Sequence, residues 1–252
     1  MIDREVLSYY VHNYKKGEIR KELLRDHIKK ALSYAEGVED SRVGVYASRQ
    51  LGINNFKELL EYAIIFHDIG KVFFQTEANL RQGQDSTYLS FKGHEFISAL
   101  LTDLFSSKKH HNMYYIAVTF SVFYHHHAMN PEARKKITLP NISDENQLYR
   151  DKIFSVLSDF LNVNDREVLS KCIDTFMKML HSRNLINYLH NLQSKIYDSI
   201  LLSTMSHSIR KVSFLLLDCL IACDYMAAQD RESGGSIFFQ TISEFYNIWM
   251  KG

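Results

Sequence analysis

The sequence is poor in cysteine and proline and carries no excess of charge of either sign. Three cysteines in 252 residues (Cys172, Cys219, Cys223) are too few, and odd in number, for a disulfide framework. They read as buried thiols of a reducing compartment. Cys219 and Cys223 lie one helical turn apart, but no second pair completes a zinc site. A net charge of +1 gives no nucleic-acid signal by composition, since a duplex-wrapping protein is usually far more basic. The first residues, MIDREVLSYY, lack the charged-then-apolar pattern of a secretory signal. The most apolar segment, FLLLDCLIACDYMAA, is broken by Asp218 and Asp224 and is shorter than a bilayer span. A soluble, cytoplasmic protein with no membrane partner is expected.

What is present supports a large core: hydrophobic residues make up 46% and aromatics 13%, which argues against disorder. The only two prolines, Pro131 and Pro140, fall in one polar stretch. Elsewhere apolar residues recur at the three- and four-residue spacing of helices over 20–36, 55–69, 93–106, 112–128, 147–161, 167–202 with breaks, and 207–230. Asn55 followed by Glu58 reads as a helix-capping arrangement. The expected fold is all-α, one helical bundle over residues 1–252, with short strands left open. Two polar stretches, 75–93 and 129–146, read as long loops, the first of a kind that is often functional.

The stretch YAIIFHDIGKVFF (62–74) is apolar or Gly at ten of thirteen positions, yet holds His67, Asp68 and Lys71 at its centre. Buried charges are normally paired or bound to a metal. An Asp68–Lys71 ion pair accounts for two of these groups and leaves His67 unexplained. Other helical stripes carry similar intruders. His27 shares a face with Leu23, Leu24 and Ala31; His94 opens a helix after Gly93; His125 and His126 extend the inward face of the helix ending at YHHHA. Asp224 falls on an apolar stripe with Leu217, Leu220, Ile221 and Ala228. Asp218 lies on another face and reads as an ordinary polar residue. Gly70, just past the His67–Asp68 pair, reads as the residue that lets the chain turn there. A carboxylate on an apolar stripe would be neutralised by burial unless a cation kept it ionised. The series His27, His67–Asp68, His94, His125–His126, Asp224 is best read as a metal site.

HDIGK (67–71), with a preceding helical His and a later helical Asp, resembles the HD phosphohydrolase superfamily. KGHE (92–95) and YHHHA (124–128) narrow the resemblance to the HD nuclease of type I CRISPR interference, in its stand-alone form separate from the helicase. The resemblance implies an all-helical domain that binds divalent metals and hydrolyses nucleic-acid phosphodiesters. Single-stranded DNA is the usual target and RNA the alternative. It also implies two partners, a separate CRISPR helicase subunit and an RNA-guided effector complex. Matched by motif, His27, His67, Asp68 and Asp224 would hold one metal. His94, His125 and His126, with Asp68 bridging, would hold a second, and Lys71 would face the phosphate as a catalytic residue beside Asp68. Many relatives have Gly after the paired histidines where this chain has His127, so the pair is His125–His126 or His126–His127. No GxxxxGK[ST] phosphate loop occurs in the sequence, so no helicase is present in it.

The chemistry agrees. In-line attack of water on a phosphodiester builds charge on entering and leaving oxygens, which two cations can stabilise together. Four ligands suffice for one ion, and a second ion explains the surplus histidines. Imidazole-rich, sulfur-free ligation favours Mn²⁺, with Mg²⁺, Co²⁺ and Ni²⁺ as alternatives. No Ser or Cys nucleophile is required. The stretch TYLSFKGH (87–94) combines aromatic and basic residues beside the site, as single-strand binders do. The alternative function is an HD phosphohydrolase acting on nucleotides or cyclic nucleotides.

Overall fold

The computed structural model describes residues 5–109, 114–126, 137, 146–182, 184–202, 207–231 and 237–251. Two strands come first, β1 (Leu7–Asn13) and β2 (Glu18–Leu23), then α1 (Leu24–Ala35), α2 (Arg42–Leu51) and α3 (Phe56–Phe66). A 3-10 turn (Ile69–Phe74) leads to β3 (Leu80–Gln82) and β4 (Ser86–Leu89). The rest is helical: α4 (His94–Lys109), α5 (Tyr115–Tyr124), α6 (Asn146–Ser158), α7 (Val163–Leu180), α8 (Leu185–Ile196), α9 (His207–Ala227) and α10 (Ile237–Phe245).

The helices follow the hydrophobic pattern. A helix apolar on every side must be interior, and α3 buries Phe56, Leu59, Leu60, Tyr62, Ala63, Ile64, Ile65 and Phe66. Around it, α5 packs on α4 and α9, α1 packs on α9, and α3 lies against α1, α5 and α9. α9 also corrects a sequence expectation. The helical run His207–Arg231 is long and apolar enough to cross a membrane by length and composition, but 56% of its apolar window is buried inside the bundle. Cys219 and Cys223 are fully buried on it, and burial pushes both thiols up, which makes them core residues rather than ligands or nucleophiles.

The sheet is the main departure from the sequence reading. Residues 20–23, read as helical, stay extended because β2 pairs antiparallel with β1, Tyr10 opposite Lys21 and His12 opposite Ile19. The stretch 75–93, read as a loop, contains the β3–β4 hairpin, and β4 pairs with β1 to give the order β2-β1-β4-β3. Asn55 does not cap α3 through its side chain; it donates to the Glu58 carboxylate at 3.4 Å instead. Working caps occur at Ser41, which accepts from the Gly44 N–H, and at Asn162, which accepts from the Asp165 N–H. Most of the loop read at 129–146 lies outside the described residues, as does His127.

Candidate metal centre

Five helices deliver the site. His27 sits on α1; His67 and Asp68 follow the end of α3; His94 is the first residue of α4; His125 and His126 follow the end of α5; Asp224 lies near the end of α9. Gly93 turns the chain into α4 with φ 97°. Gly70 acts differently from the sequence expectation. Its backbone is not left-handed, but a Cβ there would stand 2.2 Å from the His94 carbonyl oxygen. The glycine is needed for close approach: it lets the turn after Asp68 press against the start of α4, where its N–H donates to Ser98 Oγ at 2.8 Å.

The predicted side chains come together in two groups that share Asp68. In the first (His27, His67, Asp68, Asp224) and the second (Asp68, His94, His125, His126), one ligand atom from each residue lies within 4.8 Å of the others. Asp68 divides its oxygens between them. Oδ2 is 3.6 Å from His27 Nε2 and 3.4 Å from His67 Nε2, while Oδ1 is 2.7 Å from His94 Nε2 and 3.9 Å from His125 Nε2. Asp224 Oδ1 closes the first group, 3.0 Å from His27 Nε2 and 3.7 Å from His67 Nε2. His126 Nε2 lies 3.3 Å from His94 Nε2.

Local backbone contacts aim the imidazoles. His67 Nδ1 lies 2.6 Å from the Ile64 carbonyl, His94 Nδ1 2.6 Å from that of Phe91, and His125 Nδ1 2.7 Å from that of Val122. A carbonyl only accepts, so each Nδ1 carries a proton, and in the neutral ring that a metal ion requires each Nε2 presents a lone pair, the arrangement of a metal-binding imidazole. The fit to a cation rests on what these lone pairs meet. Among the described residues, four buried side-chain polar atoms lack a hydrogen-bond partner: His67 Nε2, Asp68 Oδ1, His125 Nε2 and Thr119 Oγ1. Leaving such atoms unmatched is costly, and three of the four face one another across the shared carboxylate. Nitrogen and carboxylate donors in two groups suit divalent cations.

His27 differs. Arg231 brings its guanidinium to 2.7 Å from His27 Nδ1. Guanidinium can only donate, so Nδ1 accepts and Nε2 holds the proton toward Asp224 Oδ1. Arg231 is itself held by Glu22, whose Oε2 accepts from Arg231 Nε at 2.6 Å and lies 3.6 Å from His27 Nδ1. Ligation through His27 Nε2 requires the proton to move to Nδ1, with Glu22 as the nearest carboxylate. Sequence reasoning missed both residues. Arg231 had one signal, its spacing of seven from Asp224; Glu22 had none.

Asp68 and Asp224 stay ionised. Burial opposes their charge, but His67, Lys71 and His94 around Asp68 outweigh it, as do His27 and His67 around Asp224, and both carboxyls are held well below the usual range. Lys71 pairs with Asp68 Oδ2 at 2.6 Å, donates to the Ser8 carbonyl at 3.3 Å and is only 6% exposed. The ion pair read from the sequence is therefore present.

The histidines predict the pH dependence of the metal-free protein. Burial, with the His67 and His94 charges, lowers His125 to about 3. Burial also lowers His27 and His126. For His67, burial is outweighed by Asp68 and Asp224, and its value is raised. A lowered imidazole binds its proton less well folded than unfolded, so its contribution to stability is lost as pH falls below about 6.5. His67 acts oppositely, stabilising below that value and losing this as pH rises through its raised value. Three groups oppose one. The urea midpoint of metal-free protein should fall between about pH 7 and pH 5; an equal or higher midpoint at the lower pH would contradict the balance.

The second group opens to solvent. A groove of about 550 Å³ runs from it along the sheet, lined among others by Lys71, Phe91, Lys92, His94, His126 and Arg231. In comparison with known proteins, the family model for the HD domain aligns with residues 29–157, just over half of the chain. No curated protein and no solved structure matches. The aligned span holds His67, Asp68, His94, His125 and His126; His27 and Asp224 lie outside it.

Proposed function

Because the chain belongs to the HD domain family, whose members are typically metal-dependent hydrolases, we propose that it is a nuclease that cleaves single-stranded DNA. In this reading residues 1–252 form one HD nuclease unit and act in the cytoplasm as the nuclease of type I CRISPR interference. A separate helicase would feed it strand opened by an RNA-guided complex. One observation carries the chemistry: two ligand groups share the Asp68 carboxylate and leave buried lone pairs directed at one another. The motifs HDIGK, KGHE and YHHHA support the finer assignment.

His27, His67, Asp68 and Asp224 would hold one divalent ion, and Asp68, His94, His125 and His126 a second. Bound there, such ions supply positive charge to entering and leaving oxygens and make water a better nucleophile. The chain contributes the rest. Asp68 ties the two groups together. Lys71, between Asp68 and the groove, would balance a non-bridging phosphate oxygen once its carboxylate partner turns to the ions. The apolar walls of α3, α5 and α9 keep bulk water from the first group. Water adds across the P–O bond, leaving a phosphate terminus on one fragment and a hydroxyl on the other.

The test pairs metal content with cleavage. Saturated protein should hold two ions per chain by elemental analysis, with one ion overturning the dinuclear reading. Labelled single-stranded DNA should be cut, fastest with Mn²⁺, when Mg²⁺, Co²⁺ and Ni²⁺ are compared. Turnover confined to mononucleotides or cyclic nucleotides would overturn the nuclease reading, and His67→Ala protein controls for contaminants.

A further inference from the structure

We infer that one face of the four-stranded sheet is a stacking platform that holds the strand leading into the metal centre. The inference rests on the nuclease reading for its substrate class, but it stands on different residues. Most of them precede the span that aligns with the family or follow the site in sequence.

The register of the sheet defines the platform. Arg20 on β2 is opposite Val11 on β1, Val11 is also opposite Tyr88 on β4, and Tyr88 is opposite Arg81 on β3. Cross-strand partners point to the same face, so one row crosses all four strands with an arginine at each end and an aromatic ring between them. Tyr9 and its partner Glu22 share this face, two residues along each strand. Arg231 reaches both, its guanidinium 5.5 Å from the Tyr9 ring centre and paired with Glu22. The row therefore continues, through Tyr9 and Arg231, into the wall of His27. At the other border Tyr88 lines the same groove as His94 and His126.

Exposure separates the two faces of β4. Thr87 and Leu89 are 7% exposed each, whereas Tyr88 between them is 41% exposed. Burying the alternate residues anchors the strand and leaves the tyrosine ring in the open groove. An exposed ring flanked by Arg20, Arg81 and Lys92 matches what an unpaired strand needs. Base stacking tolerates any sequence, and cations follow the phosphates. Bases within a duplex are stacked on each other and cannot lie on the ring. Glu22 does not spoil the track, because Arg231 neutralises it; Glu18, the other acid on β2, pairs with Arg20 at 3.0 Å in a solvent-exposed contact that phosphate can replace. A mononucleotide seated at the metal centre cannot span a row that crosses four strands about 4.8 Å apart, so affinity should grow with strand length.

The experiment measures binding without metal, so that it does not depend on turnover. Fluorescein-labelled oligothymidylate, oligouridylate and a blunt duplex are titrated by anisotropy in EDTA, with several oligomer lengths. Wild-type protein should bind the single strands more tightly than the duplex, and longer strands more tightly than short ones. Tyr88→Ala should weaken strand binding about tenfold or more, and Tyr88→Phe, which keeps the ring, should restore it. Arg20→Ala with Arg81→Ala should flatten the salt dependence by roughly 1.4 in log–log slope, two lost phosphate contacts on a single strand. Ile19→Ala, on the opposite face and 56% exposed, should bind like wild type.

Tyr88→Ala binding within twofold of wild type, or duplex bound as tightly as single strand, would overturn the platform. Metal-loaded protein that still cut DNA in that case would leave the nuclease reading standing. Strand binding that depends on Tyr88, in a protein that cleaves nothing when loaded, supports the platform and removes the nuclease instead.

Discussion

Asp68→Asn is expected to empty both ligand groups at once and to lower DNA cleavage by about a thousandfold or more, the scale of losing a principal electrostatic element of an active site. Among the described residues, no other candidate ligand belongs to both groups. The amide keeps the shape but loses the charge that balances two ions, and its nitrogen presents protons where Oδ1 or Oδ2 now presents lone pairs. His126→Ala should behave differently: it touches only the second group, so one ion per chain should remain. Stability adds a second signature. Lys71 is buried with its ammonium 2.6 Å from Asp68, and removing one partner of a buried pair costs about 3–5 kcal/mol. Asp68→Ala should therefore lose more stability in urea than Asp68→Asn, whose remaining carbonyl can still accept from Lys71. Elemental analysis showing one ion retained by Asp68→Asn would mean that the groups do not depend on a shared carboxylate.

The site was legible because its residues break a pattern. An apolar helical stripe makes a histidine or aspartate conspicuous, and His27, His67, Asp68, His94, His125, His126 and Asp224 all stand on helices or within two residues of their ends. Periodicity could also show that these faces point inward, and inward faces of one bundle converge. The sheet left no comparable trace. β2, EIRKEL, alternates charged and apolar residues imperfectly and runs without a break into α1, so the helical period of α1 extends backward over it. β4 finds its partner β1 more than seventy residues earlier, a pairing that local pattern cannot reveal. Arg231 was hidden for the same reason, since it meets His27 and Glu22 from positions 204 and 209 residues away. Glu22 lies near His27 in sequence, but its part in the site comes through that distant arginine.

Gly70→Ala should give the opposite metal signature from His27-side damage: loss of the second ion with retention of the first. The substitution is mild by backbone criteria, since Gly70 sits in a 3-10 turn without positive φ. Space is what forbids it. The added methyl would lie 2.2 Å from the His94 carbonyl oxygen and 3.0 Å from both its carbon and Ser98 Oγ. Two of these atoms are backbone in the first turn of α4 and cannot rotate aside, so the helix start must retreat. Overpacking of this kind costs about 1–3 kcal/mol. The functional loss should exceed the loss in stability. His94 is the first residue of α4 and lies 2.7 Å from Asp68 Oδ1, so any retreat opens the second group directly. A displacement near 1 Å at such a site costs about a hundredfold in rate. The first group draws on α1, the end of α3, and α9 but not on α4, and its ion should survive. One retained ion, a roughly hundredfold slower cleavage and a modestly lower urea midpoint form a single expected result. Retention of both ions with unchanged rate would show that the close approach of Gly70 to α4 does not set the position of His94.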